Sequence, residues 1–182
     1  IARQVCQALE AAHARGVVHR DLKPENVFIC RKRDADFVKV LDFGISKVRA
    51  ADAEQVRVTK TGQLVGTPLY MSPEQARGEL DVDHRADVYA LGVMLFEMLS
   101  GAPPFDGPSP ASVLVKALTT PAPSLRGVAG VPSTVADVVA RALAKDPELR
   151  PQSVTDFVLA LRSERPESLL PETRAMAVVT PR

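Results

Sequence analysis

Residues 19–29, His-Arg-Asp-Leu-Lys-Pro-Glu-Asn-Val-Phe-Ile, constrain the fold of this chain more than any other segment. Pro24 has no backbone N–H to give to a helix or a sheet, and its ring disfavours helical dihedral angles at Lys23. The segment therefore predicts a rigid loop. A loop can direct the side chains of Asp21, Lys23 and Asn26 at one point.

A second acidic residue, Asp42, follows a separate apolar segment. Residues 27–30 and 37–41 predict two short strands, and the polar residues 31–36 between them predict a turn. Such a hairpin fixes Asn26 before its first strand and Asp42 after its second. An amide oxygen and a carboxylate near a base suit a magnesium–phosphate site.

The order and separation of these motifs resemble those of the protein kinases. His19–Asn26 is similar to their catalytic loop, and Asp42-Phe43-Gly44 is similar to their metal-binding triplet. Residues 66–74 resemble the end of the kinase activation segment, with Ser72 in place of the usual alanine. Their sequence is similar to that of bacterial serine/threonine kinases. Lys23 also favours the serine/threonine-specific members over the tyrosine-specific ones.

The resemblance implies a role for each polar residue of the loop. Asp21 would accept the proton of a substrate hydroxyl, and Lys23 would neutralise charge on the transferred phosphoryl group. Asn26 and Asp42 would hold Mg²⁺, which bridges the phosphates of ATP. Catalysis is thus expected from Asp21, Lys23 and Asn26, and cofactor binding from Lys23, Asn26 and Asp42.

Asp87 is unusual because it lies within residues 85–99, a helix that is apolar on nearly every face. Such a helix is buried, and a buried carboxylate must find hydrogen-bond donors. The resemblance implies that Asp87 anchors backbone N–H groups of the catalytic loop. It also implies that His19 joins the loop to the metal-binding triplet and that Glu74 forms a buried ion pair with Arg150.

Residues 45–64 follow neither a helical nor a strand pattern and resemble an activation segment. We hypothesise that Thr59 or Thr61 is phosphorylated and that the phosphate binds Arg20, because a dianion opposite an arginine can order a loop. An unmodified polar loop is the alternative. The resemblance further implies that Thr67 hydrogen-bonds Asp21 and Lys23.

The expected fold is a kinase-like C-terminal lobe, mainly α-helical, with one or two small β-hairpins next to the catalytic loop. We assign residues 1–162 to this lobe and 163–182, which lack a periodic pattern, to a tail or linker. A helix over residues 1–15 ends at Gly16, and Val17-Val18 predicts a short strand. The remaining helices are predicted over residues 85–99 with Asp83 as N-cap, over 109–118, over 132–144 with a capping box of Thr134 and Asp137, and after Ser153 with Asp156 at the same spacing.

Composition excludes several classes of partner. A net charge of +1 gives no electrostatic case for nucleic acid, and no apolar run approaches the length of about 18 residues that a spanning helix needs. Two cysteines without metal-ligand spacing indicate reduced thiols, and we expect a cytoplasmic protein. The chain starts at Ile1 inside a helical pattern and contains no Gly-x-Gly-x-x-Gly motif. We therefore expect a fragment that lacks the N-terminal lobe and is inactive alone.

The predicted function is ATP-dependent phosphorylation of serine and threonine hydroxyls in proteins, with self-phosphorylation as one possible reaction. Two alternatives stay open. A pseudokinase or scaffold would lack the ATP-binding lysine in its other lobe, although every catalytic-loop position is intact here. A small-molecule phosphotransferase would share the base and the metal ligands but would lack the segment 66–74.

Overall fold

The computed structural model describes residues 1–32, 35–43 and 68–162. This part of the chain is mainly helical, with one small antiparallel hairpin, as predicted. Its helices, numbered in chain order, are α1 (Ala2–His13), α2 (Pro73–Ala76), α3 (Arg85–Ser100), α4 (Pro110–Thr119), α5 (Ser133–Ala142) and α6 (Val154–Arg162). Its strands are β1 (Val27–Lys32) and β2 (Ala35–Val40), and its 3₁₀ turns are Pro24–Asn26 and Pro147–Leu149.

None of the helices in these described ranges combines the length and hydrophobicity that crossing a membrane requires. The predicted activation segment and the predicted tail lie outside the described residues, apart from the part of the former that begins at Pro68.

Helix α1 buries Val5 and Leu9 on one face, as its apolar spacing predicts. It ends at His13, and three residues later Gly16 adopts a left-handed φ of 71°, which glycine tolerates without steric cost. The strand predicted at Val17-Val18 is wrong. The N–H of Val17 donates to the carbonyl of Ala12 at 3.0 Å and closes the helix end, so it is not free for a sheet.

The hairpin aligns Val27 with Val40, and its strands extend further toward the turn than the sequence predicts. Its pairing continues past β2, because the N–H of Leu41 donates to the carbonyl of Asn26 at 2.9 Å. The side chain of Gln4 on α1 covers the free edge of β2. Its oxygen accepts the N–H of Val38 at 2.7 Å, and its amide nitrogen donates to the Asp36 carbonyl at 3.1 Å. Helix α1 thereby fixes the hairpin that leads to Asp42.

Helix α3 is the centre of the core and contributes to both apolar clusters in the described part of the chain. One cluster joins it to α1, α5, α6 and the hairpin, and the other joins it to α4 and to another side of α5. Gly92 permits a close approach to α5, because a Cβ at this position would lie 2.8 Å from the Cβ of Ala142. The burial of Asp87 follows from this central position.

The predicted helix caps are confirmed in part. The N-cap of α3 is His84 rather than the predicted Asp83, although the Asp83 carboxylate accepts the N–H of Arg85 at 2.8 Å. Ser153 Oγ accepts the N–H of Asp156 at 2.9 Å, as predicted. The capping box of Thr134 and Asp137 is wrong. Helix α5 begins at Ser133 without a side-chain cap, and Asp137 instead pairs with Arg126 at 2.6 Å.

Candidate active site

His19 connects the loop after α1 to the end of β2. Its side chain is buried, with Nε2 2.9 Å from the carbonyl oxygen of Leu41 and Nδ1 3.3 Å from the backbone nitrogen of Asp21. Because a carbonyl only accepts and a backbone N–H only donates, these partners require a neutral ring with the proton on Nε2. The ring also packs on Phe43, with the centroids 4.8 Å apart. His19 therefore orders both sides of Asp42.

Asp87 accepts three hydrogen bonds although it is only 1% exposed. Its Oδ2 lies 2.9 Å from the backbone nitrogen of His19 and 2.7 Å from His13 Nε2, and its Oδ1 lies 2.9 Å from the backbone nitrogen of Arg20. These donors satisfy a carboxylate that would otherwise be costly to bury. The buried helix α3 thus holds two consecutive peptide groups of the loop.

Arg20 adopts a left-handed φ of 64°, which costs a residue with a side chain about 1–2 kcal/mol. Contacts from three directions keep it there. Asp87 accepts its N–H, Gln75 Nε2 donates to its carbonyl at 2.7 Å, and its own guanidinium donates to the carbonyl of Val82 at 3.2 Å. Strained residues persist where the surroundings fix them, often at functional sites.

Asp21, Lys23 and Asn26 are brought together by this loop. Lys23 Nζ lies 3.0 Å from Asp21 Oδ2, and Asn26 Nδ2 donates to the backbone carbonyl of Asp21 at 2.8 Å. The side chains of Asp21 and Lys23 are 45% and 35% exposed, so a substrate can reach them. The 3₁₀ turn that begins at Pro24 buries Asn26 beneath them. The arrangement presents an anion and a cation side by side over a fixed backbone.

Asp42 is exposed and follows Leu41, whose two backbone groups are tied to Asn26 and His19. Its φ of 55° is the second left-handed value among the non-glycine residues described. An amide and a carboxylate are hard oxygen donors that fit Mg²⁺, which takes one or two protein ligands together with nucleotide phosphates. The described residues contain no cluster of three or more His, Cys, Asp or Glu side chains for a metal held by protein alone.

Glu74 and Arg150 form a buried bidentate ion pair, with both N–O distances 2.7 Å. Arg150 directs its other donors at the backbone carbonyls of Arg85, Ala144 and Lys145, so all five guanidinium N–H groups are used. Burial alone would raise the pKa of Glu74, but the hydrogen bonds and charge of Arg150 outweigh it and lower this pKa. The pair fixes α2 against α3.

A small depression beside the loop is lined by residues 20–23 together with Pro68, Tyr70 and Met71. The Tyr70 hydroxyl donates to Glu97 Oε2 at 2.6 Å, which anchors this wall on α3. Burial and the hydrogen bond to Glu97 raise the pKa of Tyr70 above its ordinary value. Pro68, Tyr70 and Met71 thus form a neutral, partly apolar wall directly next to Asp21 and Lys23.

Residues 1–159 match the family model described as "Protein kinase domain". The chain belongs to the protein kinase family. It is 50% identical over 161 residues to serine/threonine-protein kinase Pkn1 of Myxococcus xanthus, covering 87% of this chain and 23% of that protein. It is 44% identical over 167 residues to the kinase pkn3 of the same organism, covering 90% and 30%, and 44% identical over 158 residues to PknB of Mycobacterium leprae, covering 86% and 24%. The chain thus spans less than a third of the length of these relatives.

The structure brings most of the predicted kinase residues into one connected network. Asp21, Lys23 and Asn26 contact one another directly, and His19 and Asp87 bond to the backbone around them. Thr59, Thr61 and Thr67 lie outside the described residues. In the described part of the chain, Arg20 directs its guanidinium at the Val82 carbonyl. Glu74, which pairs with Arg150, directly precedes Gln75, and the side chain of Gln75 contacts the loop at Arg20.

Sequence reasoning missed two residues of this network. No sequence motif marks His13, yet its Nε2 lies 2.7 Å from Asp87 Oδ2 and supplies a donor to that carboxylate. A signal existed, since a buried carboxylate needs donors and His13 ends the helix immediately before the loop. The side-chain nitrogen of Gln75 donates to the backbone carbonyl of Arg20, 55 positions away, and no local sequence pattern predicts such a contact.

Proposed function

We propose that this kinase transfers the γ-phosphoryl group of ATP to serine and threonine hydroxyls in proteins. The observation that carries the proposal is the contact between Asp21 and Lys23 on a loop that His19 and Asp87 fix from beneath. The relatives named serine/threonine-protein kinases support the choice of acceptor. Lys23 supports it as well, as the sequence comparison with tyrosine-specific kinases predicted.

In this proposal Asp21 orients the substrate hydroxyl and accepts its proton as the new oxygen–phosphorus bond forms. The bond between the γ-phosphorus and the β-bridging oxygen breaks, and ADP leaves. Lys23 places its ammonium beside the transferred group and offsets the negative charge there. The fixed loop contributes by positioning, because neither side chain has to search for the hydroxyl.

Asn26 and Asp42 are the residues that would hold Mg²⁺. The ion would neutralise charge on the phosphates of ATP. The chain's own contribution is to fix the two ligand positions through the hairpin register and through the bonds of Leu41 to His19 and Asn26. Phe43 packs on His19 and thereby limits the directions that the Asp42 side chain can take.

We further propose that residues 1–162 form the C-terminal lobe of a kinase domain, followed by a tail or linker over 163–182. The exposed apolar side chains Phe28 and Phe37 on the hairpin, each about half exposed, support this assignment, because a second lobe can cover them. Phosphorylation of Thr59 or Thr61, a contact of Thr67 with Asp21, and a cytoplasmic location stay predictions.

The test is a transfer assay with γ-labelled ATP and Mg²⁺ on the protein at its natural length. Serine and threonine peptides are expected to be labelled, whereas matched tyrosine peptides and small-molecule alcohols are not. The fragment 1–182 is expected to be inactive. A natural-length protein that binds ATP without labelling any acceptor would favour a pseudokinase, and one that labels only small alcohols would favour a small-molecule phosphotransferase.

A further inference from the structure

We propose that Gln75 is a positioning residue for the catalytic loop, because its amide joins the first turn of α2 to the peptide group that carries Asp21. The inference rests on the proposed function, in which Asp21 is the base. It assigns a role to a side chain that touches neither the hydroxyl nor the nucleotide in that mechanism.

The Gln75 amide uses both of its ends. Its oxygen lies 3.2 Å from the backbone nitrogen of Ser72 and 3.1 Å from Ser72 Oγ, and its nitrogen lies 2.7 Å from the carbonyl oxygen of Arg20. The backbone N–H is a donor and the carbonyl is an acceptor, so only one orientation of the amide satisfies both. One end of Gln75 therefore caps α2, and the other end holds the loop.

The Arg20 carbonyl belongs to the same peptide group as the N–H of Asp21. On one side of this peptide, Asp87 holds the N–H of Arg20, and on the other side His19 Nδ1 accepts the N–H of Asp21 at 3.3 Å. Gln75 supplies the short bond to the carbonyl itself. Because the left-handed φ of Arg20 favours relaxation, loss of this bond allows the peptide plane to rotate and carries the Asp21 carboxylate away from the hydroxyl.

The substitution Gln75→Glu separates the two roles. A glutamate at this position still accepts hydrogen bonds from Ser72, since it is a usual partner in a capping box. It has no N–H for the Arg20 carbonyl and places an oxygen there instead. The matched control is Gln152→Glu, an exposed glutamine whose nitrogen also donates to backbone carbonyls, those of Pro147, Glu148 and Arg150 at 3.2, 3.1 and 2.7 Å. Both variants change charge equally, but only one touches the loop.

The experiment combines hydrogen exchange with kinetics on the natural-length protein. In Gln75→Glu we expect amide exchange over residues 20–21 to rise about tenfold or more, and kcat to fall about tenfold or more, with KM for ATP and peptide within about twofold. Gln152→Glu is expected to match the unsubstituted protein in every readout. Gln75→Met, which removes the donor without adding charge, is expected to increase exchange in the same way.

The proposal is overturned if amide exchange at residues 20–21 in both Gln75 variants equals that of the unsubstituted protein. It is also overturned if Gln152→Glu raises this exchange as much as Gln75→Glu does. If the unsubstituted protein transfers no phosphate, the proposed function fails separately. The exchange comparison then still decides whether Gln75 holds the Arg20–Asp21 peptide, because it requires no turnover.

Discussion

The carboxylate of Asp87 accepts the backbone N–H of Arg20 at 2.9 Å, and Arg20 lies in the left-handed region with φ 64°. A residue in the most buried helix thus fixes the backbone immediately before the exposed carboxylate of Asp21. The backbone of the loop is held in place while the Asp21 side chain stays accessible to a substrate, and positioning of a substrate requires both.

Asp87→Asn is expected to destabilise the chain by about 1–3 kcal/mol, because an amide nitrogen cannot accept the N–H groups that face the carboxylate. Urea unfolding measures the change. The matched control is Asp137→Asn, whose pair with Arg126 is exposed and contributes less than about 1 kcal/mol. Equal effects of the two substitutions would contradict the anchoring role of Asp87.

Glu74→Gln is expected to cost about 3–5 kcal/mol, because it leaves the Arg150 charge buried without its partner. Glu148→Gln is the control, since Glu148 pairs with Arg85 at the surface. A loss below about 1 kcal/mol for Glu74→Gln in urea unfolding would show that the ion pair does not fix α2.

The lowered pKa of Glu74 predicts a pH dependence with a definite sign. In the unfolded chain the group titrates near 4.5, and in the folded chain it titrates lower. The unfolded state therefore takes up the proton first as pH falls. The stability difference between the unsubstituted chain and Glu74→Gln is expected to be full above pH 4.5 and to shrink below it. A difference that grows on acidification would refute the assignment.

Lys145→Met is expected to stabilise the chain at pH 7. Burial and the charge of Arg150 lower the pKa of Lys145 from 10.5 to about 8, and Nζ has no hydrogen-bond partner within the described ranges. Nζ lies over the Phe105 ring, 4.0 Å from its centroid, which is a favourable contact for the charge. Since the unfolded state binds more protons between pH 8 and 10.5, this advantage of the variant is expected to fade across that interval.

Thermal unfolding at several pH values measures the effect of Lys145→Met against Lys116→Met, an exposed lysine. A Lys145 variant that melts lower than the unsubstituted chain at pH 7 would mean that the contact with Phe105 outweighs the cost of burying the charge.

Gly92→Ala is expected to destabilise the chain by about 1–3 kcal/mol despite the better helix propensity of alanine, because the new methyl group would lie 2.8 Å from the Cβ of Ala142. The double variant Gly92→Ala with Ala142→Gly removes the opposing methyl group and is expected to regain part of the loss. No recovery in the double variant would place the strain elsewhere.

Sequence reasoning succeeded where a local pattern carries the information. Two short apolar runs on either side of a polar turn predicted the hairpin, and a carboxylate in an otherwise apolar helix pointed to Asp87. It failed where a distant residue competes for a local group. Asp137 pairs with Arg126 instead of capping the helix as predicted. Gln75 bonds to Arg20, and the two residues are too far apart in sequence for a helical or strand pattern to predict the contact. The strand predicted at Val17 failed because the helix end uses its N–H.

The most direct test of the central claim is the kcat of Asp21→Asn in the natural-length kinase, with ATP, Mg²⁺ and a threonine peptide. The side chain is half exposed and Asn keeps an oxygen for Lys23, so the melting temperature is expected to stay unchanged. The account predicts that kcat falls about 10²–10⁴-fold, while Asp36→Asn on the hairpin surface has no effect. A kcat for Asp21→Asn within about threefold of the unsubstituted kinase would contradict it.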